Sequence, residues 1–319
     1  MPPKTKQTKS AQTKCKTSPG TRRSSRLSGV DPISYKEDSA SVDEGPNLGP
    51  SNTSNKKSKK NPEETSLPRA RETSLLKAQK HSHILGIDEA GRGPLAGPVV
   101  TAACYFPPSS PLIPGIGDSK TITDESERER LYEQIVSFPG VRYCVTIIDS
   151  HRIDEINILQ ATCEGMRSSA RGLIQGSSSV PPSSDRLGCY SSGQTSGKLK
   201  AEECYALVDG NRYPSYRGNE DKKVTKGKQD MICSGEAMIK GDGREYVIAA
   251  ASILAKVTRD RIMREYDEKW PEYGLGKHKG YPTKMHQEAI YEYGVKEIHR
   301  RTFAPIKNWK INKDGSIKK

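Results

Sequence analysis

Residues 84–98, ILGIDEAGRGPLAGP, decide the fold: an apolar run ends in two adjacent carboxylates, and a glycine-flanked arginine follows. The apolar residues before Asp88 predict a buried strand. Because side chains on a strand alternate between its two faces, Asp88 and Glu89 can share one site only where the strand ends or bulges. The stretch therefore predicts an acidic site at a strand end.

The glycines that follow supply the irregular backbone that such a strand end needs. Gly91 and Gly93 reach backbone angles closed to other residues and let another chain segment approach closely. Arg92 between them carries a fixed fork of donors suited to phosphate or sugar oxygens. The acidic pair alone would also fit an ordinary surface turn, and the arginine with its glycines favours a functional site.

Two further acids lie far along the chain. Asp209 ends an apolar strand, and Asp242 lies in a Gly-Asp-Gly turn before a long helix. Neighbouring strand ends in one sheet can bring both acids beside Asp88. Clustered carboxylates repel one another unless a divalent cation binds, and oxygen-only ligands suit Mg²⁺ or Mn²⁺ and not zinc. The alternative for each acid is a solvated carboxylate at a strand end.

Hydrophobic periodicity predicts five strands and four helices between residues 84 and 293. The predicted strands are 84–88, 98–106, 142–148, 205–209 and 235–241. The predicted helices are 124–138, 151–175, 244–269 and 284–293. Strands first and then strands alternating with helices indicate an α/β core with a mixed sheet.

Seven segments together resemble the motifs of the ribonuclease HII family, the type 2 ribonucleases H. They follow one another in the family's order across residues 84–307. Besides the opening stretch they are GDSK at 117–120, LVDGN at 207–211, IKGD at 239–242, AAASILAKVTRD at 249–260, HKGYPT at 278–283 and HRRTFAP at 299–305. The LVDGN and HKGYPT segments resemble the bacterial form of the family.

The resemblance implies a fold and a mechanism. The implied fold is an α/β, ribonuclease H-like mixed sheet flanked by helices, with a C-terminal helical extension. The implied activity is metal-dependent hydrolysis of phosphodiester bonds with two Mg²⁺ or Mn²⁺ ions. Carried over residue by residue, the metal-binding and catalytic set is Asp88, Glu89, Asp209 and Asp242.

The resemblance also implies a substrate. The enzyme would hydrolyse the RNA strand of RNA–DNA hybrids and incise on the 5′ side of ribonucleotides embedded in duplex DNA, leaving 5′-phosphate and 3′-hydroxyl ends. Ribonucleotide removal and primer processing are the implied roles. The implied substrate-binding residues are Gly91, Arg92 and Gly93 at the ribose 2′-hydroxyl, Tyr281 at the adjoining deoxyribonucleotide, and Lys120 at the backbone. Tyr281 could instead be a packed core residue.

Other cations near the motifs are candidate phosphate contacts, each with a solvated surface position as the alternative. They are Lys256, Lys279, Arg300 and Arg301. Backbone contacts position a duplex without reading its sequence, so we expect cleavage with little base preference.

Two other function classes compete with this hypothesis. A resolvase-like or transposase-like metal nuclease would need the acids but neither the Gly-Arg-Gly segment nor Tyr281. A noncatalytic hybrid-binding protein would be favoured by the loss of any one acid, and all four are present. Cleavage specificity separates the three classes.

The N-terminal residues differ in composition from the rest of the chain. Residues 1–80 hold 17 Lys or Arg and 8 Asp or Glu, a net charge of +9 out of +13 for the whole chain. We predict a disordered basic tail over 1–80 and a catalytic domain over 81–319. Within that domain, 176–200 is predicted to be a low-complexity insertion and 217–230 a polar loop.

The tail and the cysteines bear on location and partners. Basic clusters in the tail predict a nuclear protein, with cytoplasmic and mitochondrial locations as alternatives. Seven cysteines without a Cys-x-x-Cys pair indicate reduced thiols in an intracellular protein. We expect a nucleic-acid partner and no membrane, because no membrane-length apolar run occurs. A monomer is expected, with accessory subunits as the alternative.

Overall fold

A mixed six-stranded sheet organises this computed structural model, which describes residues 66–78, 80–117, 122, 124–176, 190–192, 197–214 and 231–318. The strands are β1 (His83–Ala90), β2 (Val99–Tyr105), β3 (Arg142–Ile148), β4 (Tyr190–Ser192), β5 (Cys204–Asp209) and β6 (Ser234–Met238). Their order across the sheet is β4-β3-β2-β1-β5-β6. The strands β1 to β4 pair antiparallel, whereas β5 runs parallel to both β1 and β6.

Helices cover both faces of the sheet. The helices are α1 (Ala70–Lys77), α2 (Glu125–Ser137), α3 (Ser150–Ile156), α4 (Ile158–Gln175), α5 (Tyr246–Lys269), α6 (Leu275–His278) and α7 (Lys284–Tyr293). One face packs on α5, and the other packs on α4. The helices α6 and α7 and the residues after them form the C-terminal helical part, as the resemblance to the ribonuclease HII family implied.

The central strand β1 is buried on both sides because its side chains alternate between the two helical layers. Ile84 packs in the α5 layer, whereas Leu85 and Ile87 pack in the α4 layer. Gly86 faces α5 so closely that a Cβ there would lie 2.2 Å from the Val247 carbonyl oxygen. This contact places the start of α5 directly against the middle of the sheet.

Most predicted elements are confirmed within two or three residues, and one predicted helix is wrong. The expected single helix over 151–175 is two helices, α3 and α4, divided at Asn157. Asn157 has a φ of 66°, which breaks the first helix, and its side-chain oxygen accepts a hydrogen bond from the Gln160 N–H at the start of the second.

The folded part of the chain also begins earlier than predicted, because the predicted tail over residues 1–80 includes an ordered helix. The chain divides into units 1–57 and 58–319, and every described residue belongs to the second. Helix α1 lies inside the predicted tail, yet its Glu72 is buried and forms an ion pair with Arg69. Arg71 on the same helix donates to Glu236 on β6 at 2.6 Å, so this segment is part of the folded unit.

Several predicted segments lie partly or wholly outside the described residues. These are the tail before residue 66, the loop 217–230 and much of the insertion 176–200. The described part of that insertion includes β4, a strand that the low-complexity composition did not predict. Among the described helices, none combines the length and apolar character needed to cross a membrane.

Candidate active site

Three carboxylates meet at one edge of the sheet. The ligand oxygens of Asp88, Asp209 and Asp242 all lie within 4.8 Å of one another. Asp88 lies near the end of β1 and Asp209 ends β5, and these strands are parallel, so both acids emerge at the same edge. Asp242 joins them from the turn that follows β6. The structure therefore brings together three of the four predicted acids.

Backbone hydrogen bonds hold the turn of Asp242 against β5. Asp209 Oδ1 accepts from the Gly241 N–H at 2.6 Å and from the Asp242 N–H at 3.4 Å. A Cβ on Gly241 would lie 2.6 Å from Ile248 Cδ1 and 3.4 Å from Asp209 Oδ1, so the glycine packs closely against both side chains. Asp242 itself is buried. Asp209 thus holds in place the turn that carries Asp242.

The surroundings of Asp88 disfavour its ionised form. Burial raises the pKa of Asp88 well above its usual range, and the negative charges of Glu89 and Asp209 raise it further. Hydrogen bonds from the Ser252 hydroxyl and from the Glu89 N–H work in the opposite direction. A buried cluster of oxygen donors with this conflict fits a divalent cation such as Mg²⁺ or Mn²⁺.

Glu89 lies in the same cavity but outside the cluster of three acids. The strand β1 continues regularly to Ala90, so successive side chains still alternate, and Glu89 pairs across the sheet with Thr101, whose hydroxyl contacts Ser169 on α4. Its Oε1 accepts from Arg92 Nη1 at 3.3 Å. Glu89 therefore reaches the cavity from the face opposite Asp88.

The acids lie beside an open cavity of about 310 Å³. Residues 88–93 form one wall, and the other lining residues are Asp209, Ser252, Lys256, Arg259 and Tyr281. Tyr281 is 47% exposed, which rules out a packed core tyrosine. A Cβ on Gly93 would lie 3.5 Å from Tyr281 Cε1, so the tyrosine ring and the Gly-Arg-Gly segment are neighbours.

The predicted basic contacts have different outcomes. Lys120 lies outside the described residues. Lys256 lines the cavity and donates to Asp260 at 2.7 Å. Arg300 is fully buried and donates to backbone carbonyls, so its prediction as a phosphate contact is wrong. Four of its five N–H groups bond to these carbonyls, and the side chain is closed off from any substrate at the surface.

Sequence reasoning missed two cavity residues on α5. Ser252 bonds to Asp88, and Arg259 lies beneath the Gly-Arg-Gly segment. The available signal was a polar side chain on the apolar face of a helix, since Arg259 stands one turn after Ala255 and one turn before Met263, and both neighbours are buried. Such a position needs a specific hydrogen-bonding partner.

Comparisons with known proteins agree with the motifs. A family model described as Ribonuclease HII matches residues 85–180 and 197–306. Ribonuclease HII of Xylella fastidiosa (strain M12) is 42% identical over 224 residues, which cover 70% of this chain and 78% of that protein. Ribonuclease HII of Francisella tularensis subsp. novicida (strain U112) is 41% identical over 223 residues, covering 70% and 97%.

A solved structure is also similar. The ribonuclease H2 from Pyrococcus horikoshii OT3 superimposes with a TM-score of 0.48 at 23% identity, covering 71% of this chain and 96% of that one.

The relatives correct one expectation. The basic tail predicted a nuclear protein, and this is wrong, because the matching relatives are bacterial ribonucleases HII, which are cytoplasmic enzymes. The basic clusters of the tail are therefore not evidence of nuclear targeting. The bacterial relatives agree with the bacterial form of the LVDGN and HKGYPT segments.

The family model spans more than half of the chain, and it matches all or nearly all of each segment that carried the resemblance. The curated relatives named above exceed 40% identity over more than two thirds of its length. The chain therefore belongs to the ribonuclease HII family of metal-dependent ribonucleases H, which act on RNA–DNA hybrids.

Proposed function

We propose that this enzyme incises duplex DNA on the 5′ side of an embedded ribonucleotide, as well as the RNA strand of hybrids. The observation that carries the proposal is one cavity lined by the Gly-Arg-Gly segment, by Tyr281 and by two of the three converging carboxylates, Asp88 and Asp209. The acids suit the cleavage of a phosphodiester, and the other wall suits recognition of a sugar. A general metal nuclease would need only the acids.

The acids would hold and align the reacting groups. Asp88, Asp209 and Asp242 would bind the divalent ions, and Glu89 would add a carboxylate from the other face of β1. Two bound ions would lower the pKa of the attacking water and stabilise the departing oxygen. The carboxylates would hold the ions beside the scissile phosphate, so that the phosphorus could bond to the oxygen of a water that gives up a proton, while the bond to the 3′ oxygen breaks and that oxygen takes up a proton. The ends are a 3′-hydroxyl and a 5′-phosphate.

The opposite wall would sense the ribose. The 2′-hydroxyl is the group by which a protein distinguishes RNA from DNA. The small residues Gly91 and Gly93 let a sugar approach the backbone, and the side chain of Arg92 is 52% exposed and free to swing from Glu89 towards a phosphate. The exposed Tyr281 ring would pack on the adjoining deoxyribonucleotide, and Lys120 would contact the backbone.

A duplex carrying one ribonucleotide tests this proposal. With Mg²⁺, the protein should incise only at the ribonucleotide, and end mapping should find the 5′-phosphate on that ribonucleotide. Asp88→Asn should abolish turnover while duplex binding survives, and Asp314→Asn, at an exposed position, should leave turnover unchanged. Cutting of all-DNA junctions, or retained turnover in Asp88→Asn, would contradict the proposal.

The cellular roles follow from this chemistry. We infer that the enzyme removes single ribonucleotides from DNA and processes RNA primers, which links it to DNA replication and repair. It would act as a monomer, because one chain carries all four acids and the proposed ribose-sensing wall. Light scattering at assay concentration tests the monomer, and an obligate second subunit would contradict it.

A further inference from the structure

Two arginines lie beneath the candidate ribose-sensing wall and hydrogen-bond to backbone. Arg259 on α5 is 1% exposed, and Arg300 after α7 is fully buried. Among the described residues, the hydrogen bonds of both guanidinium groups go to backbone carbonyls and none goes to a carboxylate. Long charged side chains are rarely buried without a charged partner, so this arrangement requires a reason.

The carbonyls that they bind belong to the loop between β1 and β2. Arg300 donates to Gly91 at 2.6 Å, to Arg92 at 2.9 Å, and twice to Gly97 at 3.0 and 2.8 Å. Arg259 donates to the carbonyl of Pro98 at 3.0 Å. The planar guanidinium fork suits this task because it offers several donors in fixed directions.

One nitrogen joins this loop to the segment that carries Tyr281. Arg259 Nη2 donates to Ala96 at 3.2 Å and to Lys279 at 3.0 Å. Backbone bonding continues the link, since the Leu95 N–H donates to the Gly280 carbonyl at 2.8 Å. The loop and the tyrosine segment are therefore bound to the same rigid helix.

Close packing leaves the loop little room to shift around the arginines. Gly91 and Gly97 have φ angles of 93° and 85°, in the region that favours glycine. A Cβ on Gly91 would lie 2.0 Å from Arg259 Nε, and a Cβ on Gly97 would lie 2.3 Å from Met263 Sδ. The loop is thus in direct contact with the side chains of Arg259 and Met263.

We propose that Arg259 and Arg300 are positioning residues for ribonucleotide recognition, which set the spacing between the Gly-Arg-Gly segment and Tyr281 without touching the substrate. The inference rests on the proposed ribose sensing. A lysine at either position keeps the charge, but its three donors lie on one nitrogen and cannot reach all the carbonyls that the planar guanidinium fork spans. The loop would then move relative to Tyr281 while the three acids stay in place.

Binding selectivity tests the inference. Fluorescence anisotropy measures the affinity for a duplex with one ribonucleotide and for the same all-DNA duplex, in Ca²⁺ with the probe checked for integrity. Arg259→Lys and Arg300→Lys should lose about tenfold of the preference for the ribonucleotide, as Arg92→Ala should, while the affinity for the all-DNA duplex stays unchanged. A merely structural role would weaken both affinities together.

A matched control and a second variant keep the test decisive. Arg261→Lys changes an arginine on the same helix that binds Glu129 and Glu133, and it should keep the preference. Gly97→Ala disturbs the same contacts from the loop side and should lose the preference for the ribonucleotide. This variant tests the inference if the lysine variants fail to fold.

The outcomes separate the two claims. A wild-type protein without any preference, or an Arg92→Ala variant that keeps it, overturns the proposed ribose sensing and the inference with it. A preference lost in Arg92→Ala but kept in folded Arg259→Lys and Gly97→Ala overturns the inference alone.

Discussion

Acid should destabilise this protein through three neighbouring histidine rings, those of His278, His286 and His299, behind Tyr281. The ring centroids of His278 and His286 lie 4.4 Å apart, and those of His286 and His299 lie 5.5 Å apart. His286 Nδ1 contacts the Tyr281 carbonyl at 2.9 Å, so this nitrogen carries the proton and donates. Within the described part of the chain, Nε2 of His286 and Nε2 of His299 have no hydrogen-bond partner. A second proton on His286 would lie on Nε2 without an acceptor, and one on His299 would lie on Nδ1 and displace the hydrogen bond that this nitrogen accepts from the Lys296 N–H.

The size of the effect follows from the pKa shifts. Burial lowers the pKa of His286 to about 4 and that of His299 to about 3, from an ordinary 6.5. Well above pH 6.5 neither the folded nor the unfolded state holds the extra proton, and the protein has its full stability. As the pH falls, the unfolded chain is protonated first, so the free energy of unfolding falls by up to about 1.4 kcal/mol per pH unit for each ring. At about pH 5 the loss is roughly 2 kcal/mol for each ring.

Urea unfolding of the metal-free protein at about pH 8 and about pH 5 measures this loss. The raised pKa of Asp88 changes stability in the opposite direction, so the comparison is between wild type and His286→Asn, whose amide can still donate to Tyr281. The variant should be less stable at the higher pH, and its deficit should shrink by about 2 kcal/mol at the lower.

His151→Asn is the control, because that side chain is 81% exposed. A deficit of His286→Asn that stays the same at both pH values would refute the reasoning, since it would mean that the buried ring takes up its proton as readily as a free one.

Three further perturbations test the fold and the acids. Gly86→Ala should destabilise the protein by about 3 kcal/mol in a thermal melt, because its Cβ would meet the Val247 carbonyl. Removing residues 1–80 should cost about 3 kcal/mol more than removing residues 1–65, because only the longer deletion takes α1 and its ion pairs. Asp242→Asn should lose most of the stabilisation given by Mn²⁺, about 3 kcal/mol at a hundredfold excess over the dissociation constant, as calorimetry would show.

Local pattern predicted most elements of the sheet and helices, because their apolar residues recur at the period of the element that they form. β3 was predicted to the residue, and α7 likewise. The elements that were missed depend on distant partners. The composition of helix α1 is typical of a disordered tail. The helix is held by Arg71, whose side chain forms an ion pair with Glu236 and whose backbone N–H donates to Glu245. Periodicity within eight residues carries no information about such partners.

For the candidate site too, some features were predicted from local sequence and others depend on distant contacts. The sequence alone singled out Asp88 and Asp209 after apolar runs and Asp242 in a glycine-rich turn, because a carboxylate breaks the apolar pattern of a buried strand. It also marked the Gly-Arg-Gly segment, because the glycines and the arginine stand together in the chain.

Only the tertiary structure decided which way Glu89 faces and what Arg259 and Arg300 bind. A regular β1 sends Glu89 to the face opposite Asp88. The two arginines became supports for the loop because folding brought carbonyls from residues 91–98 onto them. A strand end can be recognised from its own residues, whereas a buried cation is defined by the distant groups that surround it.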